Sequence, residues 1–160
     1  MSTRLNLVMA TQNFRGGLQD ENKVEEVRLQ MRRQGIDVVA GQESGLIQAG
    51  VSKRWDTGEV LISCGKEGPR RAKASSCFFL SKNMAEAWVS GGSELKNYGN
   101  RLSILTIPLR KRKLLLINSH FPESSSHKKA QLVAYRTKIE LILRKVHKSC
   151  LLYTSDAADE

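Results

Sequence analysis

The first forty residues constrain the fold more than any other stretch, because they read as strand, helix, strand with the stops already in place. Leu5-Asn6-Leu7-Val8-Met9-Ala10 is a short apolar run that gives way to polar Thr11-Gln12-Asn13 and a Gly16-Gly17 turn signal, which predicts a buried strand. A helix is expected next. Asp20 suits its N-cap, Val24, Val27 and Met31 fall on one face, Arg32 and Arg33 complement the C-terminal dipole, and Gly35 suits a left-handed stop. Ile36-Asp37-Val38-Val39-Ala40 is rich in β-branched residues and predicts a second strand ending at Gly41-Gln42-Glu43-Ser44.

The middle of the chain has another rhythm. Glu59–Gly65, Ser75–Lys82, Arg101–Leu109 and Lys113–Phe121 are apolar runs separated by loops rather than helices, with a further short strand expected near Ala87–Ser90. Leu109-Arg110-Lys111-Arg112-Lys113 reads as a charged hairpin connection, which implies antiparallel pairing. A long helix is expected from about Ser126 to Lys148, with Leu132, Tyr135, Ile139, Ile142, Leu143 and Val146 on its apolar face. Serines 124 to 126 offer N-caps. Strands flanked by helices make a mixed α/β layer fold.

Lys and Arg total 26 against 16 Asp and Glu. Such a surplus favours a polyanionic partner, nucleic acid or an anionic surface, without choosing between them. No run reaches the roughly 18 apolar residues of a membrane span, so an intracellular protein is expected, the nucleus included. Cys64, Cys77 and Cys150 are odd in number and lack C-x-x-C spacing, which argues against a disulfide framework and a zinc site. Lys66-Glu67-Gly68-Pro69 lacks the order of a P-loop, and no Gly-x-Ser-x-Gly elbow occurs.

Three polar residues stand where separate strands run out: Asn13, Glu43 and His120. Strand ends are where α/β sheets build their sites, so the three are expected to converge at one mouth. Each has a plainer reading: Asn13 as a turn former, Glu43 as a solvated acid, His120 as a backbone-bonding group near Pro122. His127 and His147 belong to a polar helix face. Arg110–Lys113 suits a grip on DNA, a nuclear-import signal, or protection of strand edges.

Asn13-Phe14-Arg15-Gly16, Val38-Val39-Ala40-Gly41-Gln42-Glu43, Arg101-Leu102-Ser103-Ile104-Leu105 and Ile117-Asn118-Ser119-His120-Phe121-Pro122 occur in the order seen in the endonuclease/exonuclease/phosphatase superfamily. Over residues 5 to about 147 the chain resembles that superfamily, and most closely the endonuclease domain that precedes reverse transcriptase in non-LTR retrotransposons. The resemblance implies the N-terminal portion of a DNase I-like four-layer α/β sandwich. It implies a Mg²⁺-dependent endonuclease acting on DNA, with Glu43 and Asn13 at the metal. His120 would hydrogen-bond the phosphate or act as acid, and Arg101 and Asn118 would contact substrate. Within the same superfamily, a phosphodiesterase acting on lipid or inositol phosphates is the alternative, and outside enzymes a non-catalytic basic nucleic-acid-binding module.

The superfamily pattern continues with a Gly-Asp-Phe-Asn type motif and a Ser-Asp-His type motif. Neither occurs here. Residues 1–149 are therefore expected to be a partial domain, inactive as written. The last eleven residues, Cys150 to Glu160, hold Asp156, Asp159 and Glu160 and no base, and they resemble a translated transposase sequencing adapter. A non-native tail over 150–160 is expected, whose acids are not assigned catalytic roles.

Overall fold

The computed structural model describes residues 6–65, 75–99, 101–120 and 129–145, and the backbone of 150–157. Strands β1 (Met9–Asn13), β2 (Val38–Gln42), β3 (Ala49–Arg54), β4 (Val60–Cys64) and β5 (Cys77–Leu80) form one sheet in the order β1-β2-β5-β4-β3. Strands β6 (Leu95–Asn97), β7 (Leu102–Leu109), β8 (Arg112–His120) and β9 (Cys150–Ala157) form a second sheet in chain order. The helices are α1 (Glu21–Gln34), α2 (Lys82–Ser90) and α3 (Lys129–Arg144). Only β1–β2 and β8–β9 pair in parallel; the other described pairs are antiparallel.

The layers follow from the two-residue period of the strands. Val38, Ala40, Val60, Ile62, Cys64, Phe78 and Leu80 of the first sheet meet Leu105, Ile107, Leu114 and Leu116 of the second. The alternate residues Val39, Leu61, Cys77 and Phe79 turn the other way, onto Val24, Val27 and Met31 of α1. On the far side of the second sheet, Leu102, Ile104 and Ile117 pack against Tyr135, Ile139, Ile142 and Leu143 of α3. Helix, sheet, sheet and helix thus make the four expected layers. Met84, Ala85 and Trp88 of α2 join the inter-sheet core.

The inter-sheet layer changes character along its length. Leucines and valines fill one end; at the other, the same inward positions are Cys64, Ser76, Ser103, Gln42, Asn118 and His120, all buried. Ser76 and Ser103 bond hydroxyl to hydroxyl across the sheets at 2.7 Å. Buried polar groups must be satisfied, so this end is cross-linked by directional bonds where the other is held by packing.

Helix α1 has the expected termini. Asp20 Oδ1 accepts from Asn22 N at 2.9 Å, and Gly35 sits at φ 64°. The loop between β3 and β4 clamps the helix from outside: Trp55 Nε1 donates to Glu25 Oε2 at 3.0 Å, and Arg28 lies over the Trp55 ring at 5.7 Å. Arg28 also pairs with Glu25 and reaches Glu59 at 3.6 Å.

Several expectations are corrected. The first strand is Met9–Asn13 rather than Leu5–Ala10, and the second is Val38–Gln42 rather than Ile36–Ala40, because their mutual register runs from Met9↔Val38 to Asn13↔Gln42. As an edge strand, β1 is half exposed and accommodates Thr11 and Gln12. The strand expected near Ala87–Ser90 is the end of α2, whose apolar face packs on the inter-sheet core. Strands β3 and β6 were not foreseen. β4 is buried on both faces, so its alternation separates two cores rather than core from solvent. The hairpin at Arg110–Lys111 is as expected, with Leu109 paired to Arg112. Helix α3 is described from Lys129 to Arg144. Leu5, Lys66 to Pro69, Phe121, Pro122, serines 124 to 126, His127, Val146 and His147 lie outside the described residues. The tail backbone lies parallel beside β8, with Asp156 opposite Ser119.

Candidate active site

Strand direction brings the chemistry to one end. β1 and β2 run toward it and finish at Asn13 and Gln42, β8 finishes there at His120, and β7 begins there, one residue after Arg101. Gln42 and Asn118 occupy facing inward positions, so their successors Glu43 and His120 emerge side by side.

Glu43 stands at φ 49°, in the left-handed region that costs an ordinary side chain about 1–2 kcal/mol. The surrounding backbone holds it there. Phe14 N donates to Gln42 O at 2.9 Å, Gly16 N to Glu43 O at 2.6 Å and Leu18 N to Ser44 O at 3.1 Å, which zips the loop after β1 to the loop after β2. Contact is so close that a Cβ on Gly45 would lie 2.6 Å from Gly16 O. Backbone strain retained by such a network is a mark of functional sites.

His120 is 2 % exposed and lies beneath the Glu43 carboxylate, which is 26 % exposed. Its Nε2 is 3.4 Å from Glu43 Oε1, and its Nδ1 is 3.3 Å from Arg101 Nη1. A guanidinium only donates, so Nδ1 accepts and the imidazole proton resides on Nε2, facing Glu43. At 3.4 Å that contact is long for a hydrogen bond and places the ring edge and the carboxylate in van der Waals and electrostatic reach of each other.

The remaining expected residues divide. Arg101 is at the site, half-buried, where it orders the imidazole. Asn13 is at the rim, but its Oδ1 accepts from Arg15 N at 2.9 Å, the local turn that its type favours. Asn118 is fully buried. Its Nδ2 donates to Gly41 O at 2.9 Å and Cys77 O at 3.1 Å, and its Oδ1 accepts from Gln42 Nε2 at 2.7 Å. Those bonds occupy its donors and make it a tie between the sheets rather than a surface offered to substrate. Gln42, also fully buried, exchanges bonds with Thr11 Oγ1. The sequence signal for their role as a tie is their inward parity with Val38, Ala40, Leu114 and Leu116.

Among the described residues no three His, Cys, Asp or Glu side chains gather into a metal cluster, and no helix is long and apolar enough to cross a membrane. A concavity of about 500 Å³ runs along α1 past Asn22, Glu25, Leu29 and Arg33, on the helix layer and not at the strand ends. Cys64 and Cys77 are buried thiols near the polar end; burial lifts Cys64 to about 11 and Cys77 well above the usual value.

Two facing mixed sheets with helices outside make the DNase I-like fold. No protein-family model and no curated protein matches the sequence. Among solved structures, the chain is similar to the endonuclease domain of TRAS1, a telomere-specific non-LTR retrotransposon, at 11 % identity and TM-score 0.60, covering 93 % of this chain and 58 % of that one. It is similar to Danio rerio TDP2 in complex with a single-strand DNA product, at 16 % identity and TM-score 0.61, covering 94 % and 59 %. It is also similar to the AP endonuclease LMAP from Leishmania major, at 10 % identity and TM-score 0.62, covering 90 % and 53 %. The chain therefore spans between 53 % and 59 % of the length of these three.

Proposed function

We propose that this chain is part of a Mg²⁺-dependent endonuclease that hydrolyses DNA phosphodiester bonds, the target-nicking domain of a retrotransposon protein. The observation that carries the proposal is the meeting of Glu43 and His120 at 3.4 Å, at the strand ends of a DNase I-like sandwich. The basic balance of the chain, 26 Lys and Arg against 16 Asp and Glu, suits a phosphate backbone.

The donor set fits magnesium. Mg²⁺ takes oxygen ligands, keeps several waters, and is often held by one or two carboxylates together with substrate phosphates. Glu43 offers one partly exposed carboxylate of that kind, with Asn13 at the same rim. When bound, the ion would supply Lewis-acid stabilisation to charge developing on the phosphate. The chain's own part is to hold that carboxylate in its strained backbone setting and to keep a proton on His120 Nε2. Arg101 fixes that tautomer from the other side of the ring, so the proton faces the position a phosphate oxygen would take.

Nicking of supercoiled plasmid with Mg²⁺ tests the proposal, using a protein that carries this region with the remainder of the fold. Activity is expected there, with loss in Glu43→Ala and none from the 160 residues alone. Full activity in Glu43→Ala would remove Glu43 from the site. Hydrolysis of phosphoinositides in place of DNA would refute the substrate class.

A further inference from the structure

The β7–β8 hairpin carries Arg110, Lys111, Arg112 and Lys113 in succession, all exposed. β8 starts with this run and ends at His120, so eight residue steps at about 3.3 Å put the tip about 26 Å from the candidate active site, at the opposite pole. None of the four has an acidic partner within ion-pair distance among the described residues.

The structure removes the plainer explanations for this charge. Protecting an edge strand does not account for Arg110 and Lys111, which lie in the turn outside both strands. Where β7 runs on past the last β6 pair, Leu95↔Leu105, it carries Pro108, which already blocks pairing there, and Pro108 packs against Gly91 at the end of α2. Turn formation does not call for these residues either. Two-residue hairpin loops favour Asn-Gly because both positions take positive φ, yet neither Arg110 nor Lys111 does so.

We propose that this tip is a docking surface for the phosphate backbone of a nucleic acid, separate from the candidate active site. A two-stranded ribbon fits the major groove of a duplex, and the last pair, Leu109↔Arg112, with the turn it closes extends beyond both β6 and β9 as the tip of such a ribbon. An element that inserts into a membrane surface would interleave large apolar side chains with its cations, and residues 110–113 contain none. At about 26 Å, the tip holds a different stretch of nucleic acid from one seated at Glu43. The inference does not rest on the proposed chemistry, because phosphate docking needs no catalysis.

The experiment uses the 160-residue chain, a fluorescein-labelled 20-base-pair DNA duplex, and anisotropy titrations between 50 and 200 mM KCl. The variant Arg110→Gln/Lys111→Gln/Arg112→Gln/Lys113→Gln alters exposed side chains only, and a circular-dichroism melt checks that its fold is kept. Loss of three to four phosphate contacts is expected to lower the salt slope by about 3, so that the affinity gap to the parent shrinks roughly 60-fold across that salt range. The charge reversal Arg110→Glu/Lys111→Glu is expected to weaken binding more than Arg110→Gln/Lys111→Gln. Unchanged duplex affinity and slope in the fourfold variant would overturn the inference. So would loss of binding to vesicles containing phosphatidylserine with duplex affinity intact, which would make the tip a membrane surface.

Discussion

Replacing Asn118 with Ala should cost more than an average buried polar substitution, and the structure says how much. The side chain is fully buried and makes three hydrogen bonds: to Gly41 O, to Cys77 O, and from Gln42 Nε2. Alanine leaves two backbone carbonyls and an amide without that partner in a closed layer. Gly41 and Cys77 are paired across β2 and β5 and Gln42 Nε2 retains Thr11 Oγ1 at 3.2 Å, so each lost bond costs about 1 kcal/mol rather than the penalty of a group left with no partner. Together the loss is about 2–3 kcal/mol, against a total of about 5–15 kcal/mol for a typical domain. Urea denaturation followed by tryptophan fluorescence measures it as a lower midpoint at constant slope. Asn118→Asp keeps the acceptor for Gln42 but sets a carboxylate against two carbonyls, so it should be no better than alanine. A loss below about 1 kcal/mol in Asn118→Ala would refute the view that these amides join the sheets.

Glu43→Gly should be more stable than Glu43→Ala by about 1 kcal/mol, because glycine accepts φ 49° without the steric penalty; equal urea midpoints would show that the backbone there is unstrained. Gly41→Ala should destabilise by about 2 kcal/mol, since its Cβ would lie 2.4 Å from Phe14 Cε2 and 2.5 Å from Cys77 Sγ, and an unshifted melt would contradict that packing. Cys64 and Cys77 should resist iodoacetamide at pH 8 in the folded chain and react in urea, as mapped by mass spectrometry; rapid native labelling of either would refute their burial. The Arg28 hydrogen bond holds Glu25 below its ordinary 4.5, so its contribution is present above that value and is lost as pH falls through the lower folded one. Acid titration of the melt should show part of that loss disappear in Arg28→Leu, and identical acid profiles would count against the pair.

Elements whose signals are local were legible from the sequence, and those decided by neighbours were not. Asp20 and Gly35 bracket α1 because capping chemistry acts within a turn. Helix α2 was hidden because the apolar strand Cys77–Leu80 runs almost directly into it, and because Ser81, its N-cap, turns its hydroxyl to Asp37 at 3.3 Å and makes no cap bond. β3 is exposed along most of its length and β6 has three residues, so neither shows the alternation that marks a half-buried strand. Glu43 and His120 were visible as chemistry-bearing residues at the ends of apolar runs. Arg101 and Asn118 were expected on the substrate; the first orders His120 and the second ties the sheets, roles set by cross-strand geometry that spacing does not encode. The strand at Cys150–Ala157 rests on main-chain pairing, which an exposed sheet edge extends to any extended segment.

The zipper between the two loops at the strand ends has a consequence for how such a rim can diversify. Amide and carbonyl groups are the same in every residue, so bonds from Gly16 N to Glu43 O and from Leu18 N to Ser44 O survive replacement of the side chains around them. Glycines 16 and 45 are exceptions, Gly45 because a Cβ there would meet the Gly16 main chain and Gly16 because it stands at φ 78°. Beside those fixed points, a side chain such as that of Arg15 can be replaced while the acid at 43 stays where it was.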